Sequence, residues 1–180
     1  AARTGKEINI AGEAWEGLKR WGTGGLMELK HFLHGSLITK NFQTTWYPDV
    51  VNIGGEQAMR TFWKRHSSCT NCPAHCLKLG VIRDGKYKGL VAESPEYESG
   101  GLLGSNLGMT KFDEMTALIE ACDAYGLDNI STGGTLGFLT EAMEKGAIKP
   151  AELDGLKPKW GDCDTYMEMI RKIALKEGKA

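Results

Sequence analysis

Residues 69 to 80, CTNCPAHCLKLG, place three of the chain's five cysteines, Cys69, Cys72 and Cys76, at C-x2-C-x3-C spacing. Thiolates are soft ligands that select iron–sulfur clusters or zinc. Thiols this close in sequence are poor partners for a loop-closing disulfide, and the odd cysteine count argues against a secreted disulfide framework. Ferredoxin-type runs use C-x2-C steps and commonly take a further ligand from elsewhere in the chain. A zinc site built from the same thiols would look to His75, which is adjacent to Cys76 and badly placed to reach the same tetrahedron. The spacing therefore admits three readings, in this order: an iron–sulfur cluster, a zinc site, or unligated thiols. Pro73, inside the loop, stiffens it and withholds one N–H.

Two further stretches carry carboxylates. ESPEYESGGLLGSNLG, from residue 93, sets Glu93, Glu96 and Glu98 around a helix N-terminus, where the helix dipole favours acids. CDAYGLDNISTGGT, from residue 122, places Asp123 in the last turn of a helix, where the dipole opposes it. Gly126 turns the chain, Asp128 follows, and Ser131 or Thr132 is positioned to cap the next helix. Two carboxylates beside a tight helix–turn–helix can accept paired N–H donors, such as those on the amino-pyrimidinone edge of a pterin. The competing reading is a structural turn acid. Cys122 has two readings as well: a buried inert thiol on the apolar face of its helix, or a thiol near a metal, since it directly precedes Asp123.

The elements that must position these residues are mostly helical. Leu18, Trp21, Leu26, Leu29, Phe32 and Leu33 recur at helical spacing, with GTGG at 22–25 splitting the stretch and Gly35 stopping it. Residues 55–66 predict a short helix feeding the cysteine loop. LGVIRDGKYKGLVAE, from residue 79, predicts a β-hairpin, with Asp84-Gly85 as its turn. Ser94-Pro95 predicts an N-cap and first helical position. Phe112, Met115, Leu118, Ile119 and Cys122 line one face of a helix ending near Gly126. Leu136, Leu139 and Met143 mark another, ended by Gly146. A last helix is expected after Asp164, with Met167, Ile170, Ile173 and Ala174 inward. The fold class is mostly α: one multihelical domain over residues 1–180 with one small β-hairpin.

Composition narrows the function. Lys and Arg number 22 against 23 Asp and Glu, so no basic field recruits nucleic acid. No apolar run approaches the roughly 18–20 residues that span a bilayer. The opening AARTGKEINIAG has neither an initiator Met nor a signal-peptide core. It is expected to be the middle of a longer polypeptide, in a reducing cytoplasm.

Taken together, CTNCPAHC, SPEYES, GSNLG, CDAYGLDNISTGG and TKNFQ (39–43) are collinear. Over roughly residues 20–146 they resemble the tungsten-containing aldehyde ferredoxin oxidoreductase family. The resemblance implies a [4Fe–4S] cluster on Cys69, Cys72 and Cys76. Its fourth thiolate would come from a second D-x-x-G-L motif in a later domain, and this chain holds only one copy, DAYGLD. It implies that Asp123, with the backbone near Leu127 and Asp128, contacts a tungsten (or molybdenum) bis-pterin. It also implies that Glu98, with Glu96 as the alternative, handles protons at the metal; Cys122, by its place before Asp123, keeps its two readings, a core thiol or a metal ligand. The chain is then the middle helical domain of a fragmentary, multidomain and oligomeric oxidoreductase, lacking the N-terminal β domain and the C-terminal helical domain. The expected substrate is a small aldehyde, with ferredoxin or another electron-transfer subunit as partner. Reduction of an aromatic (benzoyl-CoA type) acyl-CoA is the alternative within the family. A non-catalytic, zinc-stapled helical interaction module is the alternative from another class.

Overall fold

The computed structural model describes residues 13–72 and 74–179, so Pro73 and the opening segment lie outside the described residues. The first helix, α1 (Glu13–Trp21), is followed by a 3-10 turn at Thr23–Gly25 and then α2 (Leu26–Leu29). The chain continues as a π-type turn, Lys30–His34, which Gly35 ends in the left-handed conformation at φ 57°. Met27 and His31, four residues apart on one face, point inward while Leu29, Phe32 and Leu33 are exposed. The apolar periodicity of this segment therefore marks a surface, with His31 lying between the rings of Phe32 and Trp46.

Two short helices, α3 (Val50–Ile53) and α4 (Gly55–Thr61), lead into the sheet. The sequence extends a helix to residue 66, but α4 ends at Thr61 and β1 (Trp63–Ser67) follows. β2 (Leu77–Val81) pairs antiparallel with both β1 and β3 (Val91–Glu93), giving a three-stranded sheet ordered β1-β2-β3. The predicted hairpin is its β2–β3 half. Asp84-Gly85 is not a two-residue turn: the strands are joined by a longer loop that Gly89 N closes onto Ile82 O at 2.8 Å. Trp63 Nε1 donates to Ser94 Oγ at 3.1 Å, so Ser94 braces the sheet rather than capping a helix.

The second half is a helical layer. α5 (Tyr97–Leu103) starts two residues later than Ser94-Pro95 suggests, with Glu96 at its N-cap. α6 (Phe112–Tyr125) and α7 (Asn129–Glu144) meet at the DAYGLD turn, and α8 (Cys163–Leu175) packs on α6. α8 begins before Asp164, because Asp162 caps it by accepting from Thr165 N at 3.2 Å. It turns Tyr166, Met169 and Ile170 into the core. α5 and α7 are in close contact: a Cβ at Gly133 would lie 2.7 Å from the Leu102 carbonyl. Met27, Phe62, Leu103, Leu107, Met115, Leu118, Leu136 and Ile170 belong to one core joining the sheet side to the helical layer.

One segment departs from ordinary backbone geometry. Lys40, Asn41 and Phe42 have φ of 47°, 52° and 65°, consecutive left-handed residues that each cost roughly 1–2 kcal/mol. Partners distant in sequence hold them: Lys40 N donates to Ser105 O at 3.2 Å, Asn41 N to Asn106 Oδ1 at 2.9 Å, and Asn41 Nδ2 to Glu141 Oε2 at 2.5 Å. No helix among the described residues is long and apolar enough to cross a membrane.

Candidate metal and cofactor site

The cysteine loop spans the gap between β1 and β2 and is closed at its base by the Ser67–Leu77 pair. Cys69 is exposed, while Cys72 and Cys76 are half-buried. Cys72 N donates to Cys69 O at 3.0 Å, forming a turn over the first pair. Asn71 and His75, the residues immediately before the second and third cysteines, both take positive φ, at 60° and 51°. Asn and His are among the residues that best tolerate this region.

Cys76 is clamped from two sides. Gly22, at φ 67°, lies so near that a Cβ there would stand 2.7 Å from the Cys76 carbonyl oxygen. From the strand, Lys78 Nζ donates to His75 O at 2.7 Å and to Cys76 O at 3.0 Å. Burial pushes the Cys76 thiol above its ordinary pKa and Glu96 adds to the rise, while Lys78 pulls it back. Burial likewise lowers Lys78, against the pull of Cys76 and Glu96.

Among the described residues, no three His, Cys, Asp or Glu side chains gather closely enough to hold a single metal ion. A [4Fe–4S] cube does not ask for that, because each thiolate binds a different iron. Three soft thiols presented separately along a loop anchored at both ends fit such a cluster. The remaining thiols are in the core: Cys122 on α6 is fully buried and Cys163 on α8 nearly so. Burial pushes both up to about 11, which leaves them protonated at neutral pH.

At the end of α6, Gly126 takes φ 70°, and Leu127 N donates to Cys122 O at 2.8 Å. The Leu127 N–H is therefore spent within the turn. Asp128 caps α7 itself, its Oδ2 accepting from Ser131 N at 2.6 Å, so neither Ser131 nor Thr132 is the cap. Hydrogen bonding from Ser131, its side chain first and its backbone N–H second, holds the Asp128 carboxyl below its ordinary pKa. Asp123 is exposed, with Oδ1 accepting from Asn129 Nδ2 at 2.8 Å. Asn129 Oδ1 is buried with no hydrogen-bond partner. The turn thus holds acceptors in excess of donors, an arrangement that fits the N–H-rich edge of a pterin.

The acids of SPEYES separate. Glu96 is half-buried and accepts from the Thr23 hydroxyl, while Thr23 Oγ1 in turn accepts from Tyr97 N at 3.0 Å. Burial raises the Glu96 carboxyl, and Glu98 and Glu93 push in the same direction against the Thr23 bond. Glu98 is exposed in the first turn of α5. Sequence reasoning passed over Gly22, Thr23, Lys78 and Asn129. A lysine flanked by Leu77 and Leu79 was the available signal, since a buried charge in a strand needs a partner.

The family model described as "Aldehyde ferredoxin oxidoreductase, domains 2 & 3" matches residues 1–180. The tungsten-containing aldehyde ferredoxin oxidoreductase of Pyrococcus furiosus is 38% identical over 167 residues, covering 90% of this chain and 26% of the relative. The enzyme of the same description from Thermococcus kodakarensis is 36% identical over 165 residues, covering 89% and 26%. The aliphatic sulfonate oxidoreductase, WOR-like subunit, of Pyrococcus furiosus is 31% identical over 165 residues, with the same coverage. The chain spans about a quarter of the length of these relatives.

Proposed function

Because the chain belongs to the aldehyde ferredoxin oxidoreductase family, we propose that it is the cluster- and pterin-facing helical part of a cytoplasmic oxidoreductase that converts aldehydes to carboxylates and delivers electrons to ferredoxin. The observation that carries this reading is the cysteine loop: three thiols on an anchored segment, collinear with the acceptor-rich DAYGLD turn. Aldehyde and water yield carboxylate, two electrons and three protons. When bound, the tungsten pterin supplies two-electron chemistry and the [4Fe–4S] cluster one-electron relay.

The protein's own residues bind, orient and move protons. Cys69, Cys72 and Cys76 hold the cluster, its fourth thiolate coming from outside these residues. Asp123 accepts N–H donors of the pterin, with Asn129 fixing the carboxylate from one side. Asp128 shapes the turn by capping α7, and Leu127 locks it through its bond to Cys122 O. Glu98 takes up protons released at the substrate, and Glu96, already biased toward its protonated form, stands nearby. The burial of Cys122 in the core supports the aldehyde reading over reduction of an aromatic acyl-CoA, for which a thiolate near the metal would be expected.

The full-length protein, purified anaerobically, tests the proposal. It should contain iron and tungsten in the ratio of one [4Fe–4S] cluster to one metal site and reduce a viologen dye with small aldehydes. An iron-free protein binding stoichiometric zinc would overturn it.

A further inference from the structure

The cysteine loop rests on an amine that the reaction above does not use. Lys78 is 1% exposed, one of the largest fully buried side chains among the described residues. The alternation of β2 turns Lys78 and Gly80 inward. Gly80, lacking a Cβ, leaves room for Phe62, whose carbonyl oxygen would stand 2.6 Å from such an atom. Nζ lies 5.2 Å from the centre of the Trp63 ring and donates to the carbonyls of His75 and Cys76. None of the ion pairs among the described residues includes it. Carbonyl dipoles and a ring face offset only part of the cost of removing an ammonium from water. A neutral donor would hold the same carbonyls without that cost. A full charge is warranted where a full anion comes close, and one of the carbonyls it grips belongs to Cys76 itself.

We propose that Lys78 is the counter-charge of the cluster: it positions Cys76 through the backbone and raises the reduction potential of the bound [4Fe–4S] group. The inference rests on the cluster assignment made above. Reduction adds one electron and no proton, so the thiolate-ligated cluster becomes more negative by one charge. A fixed cation in a poorly solvated site stabilises the reduced form more than the oxidised form. Glu96, the half-buried acid near both Cys76 and Lys78, works in the opposite direction, so the effect of Lys78 is read against it. Lys78 is thus a positioning residue whose effect is read in the potential.

Anaerobic potentiometric titration of the full-length protein with dithionite, followed by the EPR signal of the reduced cluster, provides the test. Lys78→Met keeps the length and removes the charge; Lys78→Arg keeps the charge. At the wild-type midpoint, Lys78→Met should lower the reduced-to-oxidised ratio at least about tenfold, a fall of about 59 mV for one electron, while Lys78→Arg stays within about threefold. Loss of the cluster in Lys78→Met alone supports the positioning half of the proposal, because Met lacks both the charge and the donors that hold the His75 and Cys76 carbonyls, whereas Arg keeps both. A Lys78→Met ratio within about threefold of wild type overturns it, and so does loss of the cluster in both variants, which would make Lys78 a packing strut. Wild-type protein without iron would instead overturn the cluster assignment, before any variant is made.

Discussion

Asp123 and Asp128 bracket one turn and are predicted to respond differently to substitution. Asp128 is a helix cap, so Asp128→Ala should cost about 1 kcal/mol in thermal unfolding of the protein. Asp123→Asn should leave the unfolding temperature nearly unchanged, because the residue is exposed and on no core face. It should instead lower pterin and tungsten content, since a donor then faces a donor at a penalty of about 1–3 kcal/mol. Full tungsten content in Asp123→Asn would make it a plain turn acid. For proton handling, Glu98→Gln should cut aldehyde turnover about 100-fold or more with metal content intact. If Glu96→Gln alone produces that loss, the half-buried acid is the one that moves protons. At this scale the sequence was informative wherever chemistry depends on residue type and local spacing, as with the cysteines and DAYGLD. It was silent on Lys78 and Asn129, whose meaning depends on burial created by distant elements.

Neighbouring glycines in α7 give the element-scale test. A Cβ at Gly133 would collide with the Leu102 backbone at 2.7 Å, whereas one at Gly134 would meet nothing within 4 Å. Gly133→Ala should therefore destabilise by about 1–3 kcal/mol through overpacking of α5 on α7. Gly134→Ala should stabilise by about 0.5–1 kcal/mol through helix propensity. Equal shifts in unfolding temperature would mean that the two helices do not meet at Gly133. The long helices were legible because their apolar stripes and left-handed glycine stops, Gly126 and Gly146, are local signals. β1 was not: WKRHS is polar at its centre, with exposed Lys64, Arg65 and His66, and becomes a strand by pairing with β2. β2 inverts its own pattern, placing Lys78 and Gly80 inside and leaving Leu77, Leu79 and Val81 partly exposed. Tertiary pairing decided both strands.

For the molecule as a whole, alkaline pH exposes the buried thiols as a stability term. Cys163 titrates near 9.0 when unfolded and at about 11 when buried beside Tyr87. Between these values the unfolded chain has released a proton that the folded chain retains. Stability should therefore fall as pH rises from 9 to 11, by up to about 1.4 kcal/mol per pH unit for this group. Below pH 9 the group contributes no slope. Cys163→Ala should flatten part of the fall in unfolding free energy across that window, and an unchanged slope would assign it to Cys122, the tyrosines and the lysines. The left-handed turn at Lys40–Phe42 bears on how such a chain is made. Its partner Glu141 lies 100 positions downstream, and Ser105 and Asn106 more than sixty. At roughly 5–20 residues per second of synthesis, the turn leaves the ribosome about 5–20 seconds before the last of its anchors. Until Ser105 and Asn106 follow, nothing holds it left-handed and TKNFQ is an ordinary flexible peptide open to chaperones and proteases, and its last anchor arrives only with α7.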